Sequence, residues 1–328
     1  MSGRNGRQPD AQGPKVAESR RVKLAVFLVV ATGMLPRQVL PGQFYMVTRR
    51  CTQRQFLLRP DRETNNTFTY CLLEAALRCQ IEILLPCAMS NHHHTVIYDR
   101  CGRYPEFVEH FHKMLARSQN ALRGRWENLW SSEQVCVVKL VDRAAVIDKL
   151  VYTATNPVQD QLVDRVHHWP GVNGLGALLG GRALRATRPL HFFRPDGPMP
   201  EVVEMRLAIP AELGPEAALL AELRDRVRVV EAEQEAARRR SGGRVLGRHA
   251  VLTQSWRSQP KSREPRRNLR PRVAGRSKWA RIEALLRNRA FVADYVSARD
   301  RWRQGELTVF PPGTYWLRRF AYVPVAET

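Results

Sequence analysis

Residues 82–98 read EILLPCAMSNHHHTVIY and predict two strands joined by a short turn. The runs 82–88 and 92–98 are rich in apolar, β-branched and aromatic residues, as strands are. Met89-Ser90-Asn91 between them has the small and polar character of a turn. We therefore expect a pair of adjacent strands, the second of which begins with three histidines.

The flanking sequence extends this pair into a sheet with helices. Residues 43–51 (QFYMVTRRC) and 134–140 (QVCVVKL) predict two further strands. Apolar residues at helical spacing predict helices at about 65–77, 104–122 and 143–155, the last ended by Asn156-Pro157. Closely spaced strands mixed with helices predict an α+β domain, in which an antiparallel sheet is covered on one or both faces.

Composition changes along the chain suggest four regions. We expect residues 1–33 to be an N-terminal extension that is either disordered or mis-assigned; in the second case translation begins at Met34. Its apolar run, 24–35, is too short to span a membrane, which takes about 20 residues. The remaining regions are predicted as the α+β domain at 34–175, linker and turns at 176–210, and a basic, mainly helical region at 211–328 that ends in a strand pair at 306–323.

The charge of the chain points to a polyanionic partner. Lys and Arg number 53 against 31 Asp and Glu, which leaves a net charge of +22. Nucleic acid is the first candidate and an anionic membrane surface the second. The hydrophobic fraction of 44% is that of a folded protein and excludes disorder of the whole chain. The basic run 238–281 fits either a solvated tail or an arm along a phosphate backbone.

The six cysteines do not form a metal-binding pattern. No two of them have CxxC spacing, and Cys87 and Cys136 stand among apolar residues. We expect reduced, buried thiols in a cytosolic protein, because such spacing fits neither a zinc ribbon nor a disulfide framework.

The three histidines can supply a metal site on one face of the sheet. Side chains alternate along a strand, so His92 and His94 share a face while His93 points away. Two imidazoles on one face can hold a divalent cation. Chance placement on a surface or in a core is the alternative interpretation of the same pattern.

Tyr152 is the candidate nucleophile. It lies four residues before Asn156 in a predicted helix, so both side chains face the same way. Such a helix opposite a histidine pair would bring together a hydroxyl nucleophile and an oxygen ligand. Ordinary packing of an amphipathic helix would also explain a tyrosine here.

These motifs together resemble the single-tyrosine HUH transposases, and within them the REP-associated tyrosine transposases. The likeness rests on residues 89–94 (MSNHHH) and on Tyr152-x-x-x-Asn156-Pro157-Val158, followed by Leu162-Val163 and Trp169-Pro170. It covers roughly residues 40–171. Two positions depart from the family pattern: His93 stands where a hydrophobic residue is usual, and Ser90 where a proline is usual.

The resemblance implies a ferredoxin-like α+β core, the HUH nuclease core, and a chemistry for it. His92, His94 and Asn156 would bind Mg²⁺ or Mn²⁺, and Tyr152 would attack a DNA phosphate to form a 5′-phosphotyrosine. The implied activity is that of a DNA transposase that cleaves and rejoins single strands. Its partner would be single-stranded or hairpin DNA rather than a membrane. We expect a cytoplasmic, nucleoid-associated protein, with a homodimer as one oligomeric state.

Basic residues around these motifs are the candidates for phosphate contacts. They are Arg49, Arg50, Arg123, Arg125 and Lys149. A non-catalytic nucleic-acid-binding protein, or a transposase that has lost its activity, would explain the charge equally well. The HHxxxDG motif of condensation-type acyltransferases fits poorly, because Asp99 lies one residue too far and is followed by Arg100.

Overall fold

The structure is a computed structural model that describes residues 36–207, 209–262 and 271–327. The chain separates into two units, one comprising Pro41–Ala284 and the other the residues up to Leu40 together with Leu285–Thr328. The extension predicted at 1–33 and the proposed start at Met34 lie outside the described residues.

A mixed sheet forms the centre of the Pro41–Ala284 unit. The strands of the described residues are β1 Gln43–Arg50, β2 Ile81–Ala88, β3 His92–Asp99, β4 Cys136–Leu140, β5 Ala183–Thr187, β6 Val202–Arg206 and β7 Val273–Ala274. The order in the central sheet is β2-β3-β1-β4-β7. The first four strands are antiparallel to their neighbours, and β7 runs parallel to β4 at the edge. The predicted α+β class and the four strands of the antiparallel sheet are confirmed.

Helices cover both faces of this sheet. The helices are α1 Arg62–Cys79, α2 Tyr104–Arg123, α3 Arg143–Gln159, α4 Leu175–Leu179, α5 Glu216–Ser241, α6 Arg248–Thr253, α7 Lys278–Arg303 and α8 Trp316–Ala321. On one face the ring of His93 packs against Phe68 of α1 and Phe111 of α2. On the opposite face α3 crosses β2 and β3 and is itself covered by α5.

Local sequence accounts for the ends of α1 and α3. The carboxylate of Asp61 accepts a hydrogen bond from the Thr64 amide at 2.7 Å, and Asp142 does the same for Ala145. The expected end of α3 at Asn156-Pro157 is wrong, because the helix continues to Gln159. Proline removes one amide donor, but the turn closes through the bond from the Asp160 amide to the Asn156 carbonyl.

The stretch 176–210, predicted as linker and turns, contains regular structure. β5 and β6 pair antiparallel and pack against α1. Asn66 of α1 donates to the carbonyl of Thr187 and accepts from its amide, and the Tyr70 hydroxyl donates to the Pro200 carbonyl at 2.6 Å. The strands escape prediction because each is short and their connection is rich in proline and glycine.

Helix α5 fixes the position of α3 on the sheet. Its residues Leu219, Leu223 and Val227 are buried along one side, at helical spacing. Arg226 of α5 also forms an ion pair with Asp148 of α3. A second arginine, Arg276, reaches the same carboxylate at 2.7 Å from the segment that follows β7.

The second unit has its own small core within residues 36–40 and 285–327. Its buried residues are Phe291, Tyr295, Ala298, Phe310, Leu317 and Val323. The strand pair predicted at 306–323 is wrong: residues 316–321 form α8, and Phe310 instead pairs with Val325 as an isolated parallel bridge. Gly313 makes a turn at φ +87°, where a Cβ atom would lie 2.5 Å from Gln38.

The six cysteines are free thiols, as predicted, but only four are buried: Cys136 is half-buried and Cys101 is exposed. Among the helices of the described residues, none combines the length and the apolar character that crossing a membrane requires.

Candidate active site

His92 and His94 occupy one face of the sheet, at the beginning of β3. In the strand register, His94 lies opposite Thr48 of β1 and Cys87 of β2, and His92 lies opposite Arg50. The centroids of the two imidazole rings are 4.8 Å apart. His94 is buried, whereas His92 is half-buried at the edge of the site. The alternation of side chains along β3 therefore follows the sequence pattern.

The hydrogen bonds of the two histidines direct their other ring nitrogens into the site. His92 Nδ1 lies 2.7 Å from Oδ1 of Asn91, which can only accept, so this nitrogen carries a proton. His94 Nδ1 lies 2.8 Å from the hydroxyl of Thr48. Nε2 of His94 is buried and has no hydrogen-bond partner among the described residues. Burial, followed by the nearby His92 and His93, holds the pKa of His94 well below 6.5, so this ring is neutral.

Helix α3 brings Tyr152 and Asn156 to the same place. The ring of Tyr152 lies 5.2 Å from that of His94, centroid to centroid, and its side chain is 37% exposed. Asn156 is buried, and its Oδ1 lies 3.3 Å from Nε2 of His92. The structure thus brings together the four residues that the sequence assigns to the site.

The phenol of Tyr152 is protonated at neutral pH in the ligand-free protein. Burial is the main cause of its raised pKa, and the charge of Asp160 adds to it. A hydrogen bond with the Asn156 side chain acts in the opposite direction. The ammonium group of Lys149 lies 5.5 Å from the centre of the Tyr152 ring and places a positive charge beside the phenol.

His93 lies on the other face of the sheet and takes no part in the site. Its Nε2 is 2.8 Å from Nε2 of His112, and its Nδ1 is 3.2 Å from the hydroxyl of Thr95. Burial, with smaller contributions from His92 and Arg49, lowers the pKa of His93 to about 3. The middle histidine of the triplet is therefore a neutral core residue.

The five basic candidates are distributed over different places. Lys149 lies at the site, and Arg50 lies opposite His92 in the strand register. Arg49 is on the opposite face, with its guanidinium 3.2 Å from His112 Nδ1 and over the ring of Trp130. The other two are near the end of α2, where Arg123 binds Asp61 at 2.6 Å and Arg125 donates to Gln55 at 3.4 Å.

Several residues of the site escape prediction from the sequence. Thr48 contacts His94 only because of the register between β1 and β3, which the sequence does not specify. Asn91 gives a local signal, since it directly precedes His92. Asp160 lies one helical turn beyond Asn156, so its proximity to Tyr152 follows from helical spacing once α3 is known to continue past Pro157.

The donor set for an ion would consist of two imidazoles and a carboxamide. Among the described residues, no three His, Cys, Asp or Glu side chains are grouped so that they could hold a metal ion. The fit depends on Nε2 of His94, which lacks a partner, and on the 3.3 Å approach of His92 Nε2 to Asn156 Oδ1. Because Asn91 engages Nδ1 of His92, Nε2 is the ring nitrogen that faces the Asn156 oxygen. Imidazole nitrogens and a carboxamide oxygen are donors that a divalent cation can share.

Comparisons with known proteins give one structural likeness. No protein-family model and no curated protein matches the chain. The chain is similar to a solved structure described as the REP associates tyrosine transposase bound to a REP hairpin. The TM-score is 0.36 and the identity 16%, over 45% of this chain and 86% of that chain.

Proposed function

We propose that this protein is a DNA transposase that cleaves and rejoins single-stranded DNA through a covalent 5′-phosphotyrosine. The observation that carries the proposal is that Tyr152 and Asn156 of α3 lie beside His92 and His94 of β3. Tyr152 stands beside His94, and Asn156 Oδ1 approaches Nε2 of His92 within 3.3 Å. A nucleophile and a cation site beside it are what cleavage of a phosphodiester needs.

His92, His94 and Asn156 would hold Mg²⁺ or Mn²⁺. When bound, the ion polarises a non-bridging oxygen of the scissile phosphate and neutralises the charge that develops in the transition state. Thr48 and Asn91 orient the two imidazoles through their Nδ1 atoms, as outer-shell partners of metal-binding histidines commonly do.

Tyr152 performs the covalent step. Its oxygen attacks phosphorus and loses its proton, while the bond from phosphorus to the 3′ oxygen breaks. That oxygen takes up a proton, which leaves a free 3′-OH and a 5′-phosphate on Tyr152. A 3′-OH from another strand end can reverse the step without ATP, because the phenol, with an ordinary pKa of about 10, is a better leaving group than an alcohol. Asn156 orients the phenol through their hydrogen bond, and Lys149 lies beside it.

The topology of the sheet supports the ferredoxin-like part of the proposal. Strands β4-β1-β3-β2 stand in that order and are all antiparallel, with α1 and α2 on one face. In this arrangement the two ligand histidines lie on β3, inside the sheet. The face opposite α1 and α2 is the one that α3 covers with Tyr152.

A covalent-trapping gel tests the proposal. The protein is incubated with labelled single-stranded DNA that carries hairpin or linear ends, with Mn²⁺ or with EDTA. We expect a protein–DNA band that needs the metal and is lost in Tyr152→Phe and His94→Ala. Tyr322→Phe is the matched control, because Tyr322 is exposed and belongs to the other unit, so its band should remain.

Another nucleophile, or a protein that binds DNA without cleaving it, would give a different result in this assay. An adduct that persists in Tyr152→Phe would assign the nucleophile elsewhere. DNA that is bound but never linked, on any end tested, would favour a non-catalytic or inactivated binding protein.

A further inference from the structure

We propose that a second surface of the Pro41–Ala284 unit binds unpaired nucleotides beside the candidate active site. It is formed by Trp126, on the loop after α2, and by residues 254–262 (QSWRSQPKS), called here the 254–262 segment. The inference extends the proposed function, since it states how a single strand is held next to the cleavage site.

The 254–262 segment packs against the rest of the Pro41–Ala284 unit. It belongs to the basic run 238–281, for which the sequence alone allows either a solvated tail or an arm along a phosphate backbone. It lies along residues 52–59, between β1 and α1. Three hydrogen bonds hold it there: Arg59 Nη1 to the Gln254 carbonyl at 3.1 Å, the Phe56 amide to the Ser258 carbonyl at 2.9 Å, and Arg54 Nη1 to the Ser262 carbonyl at 2.7 Å. Its basic side chains, Arg257 and Lys261, are exposed.

Aromatic rings accompany these cations. Trp126 is 99% exposed, which is unusual for so large an apolar side chain. Trp256 lies under the guanidinium of Arg257 at 4.9 Å and within 6.0 Å of that of Arg123, at the end of α2. Arg123 and Trp126 are three residues apart, so the loop with Trp126 begins where the 254–262 segment docks.

The mixture of groups favours unpaired nucleotides over a protein or a membrane. Bases stack on aromatic rings and their phosphates pair with arginine or lysine, so single-strand sites combine the two. Protein interfaces are enriched in tryptophan and arginine but depleted of lysine and serine, whereas the 254–262 segment carries Lys261 and three serines beside Trp256. The net charge of +22 is opposite in sign to the phosphate backbone of a nucleic acid.

A short path of contacts connects this surface with the candidate active site. The side-chain amide of Asn91 donates to the Arg54 carbonyl at 3.2 Å, and Oδ1 of the same residue accepts from His92. Gln53 and Arg54 both have left-handed backbone conformations, at φ +50° and +59°. Such conformations cost free energy in residues other than glycine, and they are retained where the surroundings hold them. Here they place the Arg54 carbonyl against Asn91 and its guanidinium against Ser262.

Binding of a labelled (dT)10 oligonucleotide tests the inference. The Tyr152→Phe protein is used in EDTA, so that no cleavage is involved. We expect Trp126→Ala to weaken binding roughly tenfold, the size of one lost base stack, and Trp126→Phe to restore most of it. The double change of Arg257 and Lys261 to Ala should reduce the slope of log K against log salt by about 1.4, or about 0.7 per phosphate contact.

Trp279→Ala is the matched control, because Trp279 is 76% exposed on α7 and is not part of this surface. Its affinity should stay within about twofold of the parent. Unchanged binding by Trp126→Ala, or an equal loss in Trp279→Ala, overturns the inference. The assay needs neither metal nor Tyr152. Its result therefore tests the binding surface independently of the proposed cleavage activity, and either hypothesis can be refuted without the other.

Discussion

At the scale of single residues, the site depends on which atom of each imidazole is already engaged. Thr48 and Asn91 occupy the Nδ1 atoms of His94 and His92, so that Nε2 is the ring nitrogen left for a ligand in each; that of His92 approaches Asn156 of α3. A ring free to rotate would lose that direction. Thr48 thus orients His94, a role that follows from the pairing of β1 with β3 and not from the local sequence around Thr48.

Thr48→Val tests this role, since valine keeps the shape of threonine and removes the hydroxyl. We expect Mn²⁺-dependent adduct formation to need about 10- to 100-fold more metal, as is typical when an outer-shell partner of a ligand histidine is lost. Thr48→Ser retains the hydroxyl and should behave like the parent. The measurement is a Mn²⁺ titration of the trapping gel. An unchanged titration for Thr48→Val would show that Thr48 does not orient His94.

At the scale of elements, the sequence predicted those parts whose signal is local. Alternation along 92–98 was enough to place His92 and His94 on one face, and the spacing of Tyr152 and Asn156 was enough to align them on a helix. The sequence alone does not show that α3 lies over β3, because that position depends on the long-range contacts of α3 with α5. The pair β5 and β6 was missed for a similar reason, since α1 provides much of its packing.

The strand pair predicted at 306–323 is wrong for the same reason, because local sequence does not specify long-range contacts. Residues 306–323 contain the aromatic and β-branched residues of a strand pair, but 316–321 form a helix whose Leu317 enters the core of the second unit. In the helix, Leu317 and Ala321 are four residues apart and therefore share the side that packs against that core. Burial in the tertiary structure outweighs local propensity here.

The beginning of α1 provides a prediction about stability and pH. Burial tends to raise the pKa of Asp61, but bonds from the Thr64 amide and from Arg123 and Arg59 outweigh it and lower the pKa to about 2. The charged carboxylate therefore stabilises the fold above the unfolded pKa of about 3.9, and this contribution disappears as the pH falls toward 2. The shift corresponds to about 2.4 kcal/mol at most, and solvent screening of this partly exposed carboxylate reduces it to about 2 kcal/mol.

Asp61→Asn separates the charge from the helix cap. Asparagine still caps a helix through its side-chain oxygen. We expect the variant to lose about 2 kcal/mol at pH 7 and to lose less additional stability than the parent between about pH 4 and 2. Urea unfolding at a series of pH values measures both. If the free energy of unfolding falls equally with pH in the two proteins over that interval, Asp61 is not an ionised, stabilising group.

At the scale of the whole molecule, the residues with assigned roles all belong to one unit. His92, His94, Tyr152, Asn156 and the 254–262 segment lie within Pro41–Ala284. The other unit packs its own buried cluster around Phe310. The chain therefore carries two hydrophobic cores, and damage to the smaller core should not change the chemistry of the larger unit.

Phe310→Ala tests that separation. Phe310 is fully buried, with its ring 5.7 Å from that of Tyr295, so truncation should cost the second unit about 3–5 kcal/mol. A thermal melt should then show a transition at lower temperature than in the parent. Adduct formation at 25 °C should keep the parental rate, because no atom of the candidate active site is altered. Val309→Ala, at an exposed neighbouring position, should leave both the melt and the rate unchanged. If adduct formation falls together with the melting temperature in Phe310→Ala, the two units unfold as one, and the second unit maintains the site through its stability.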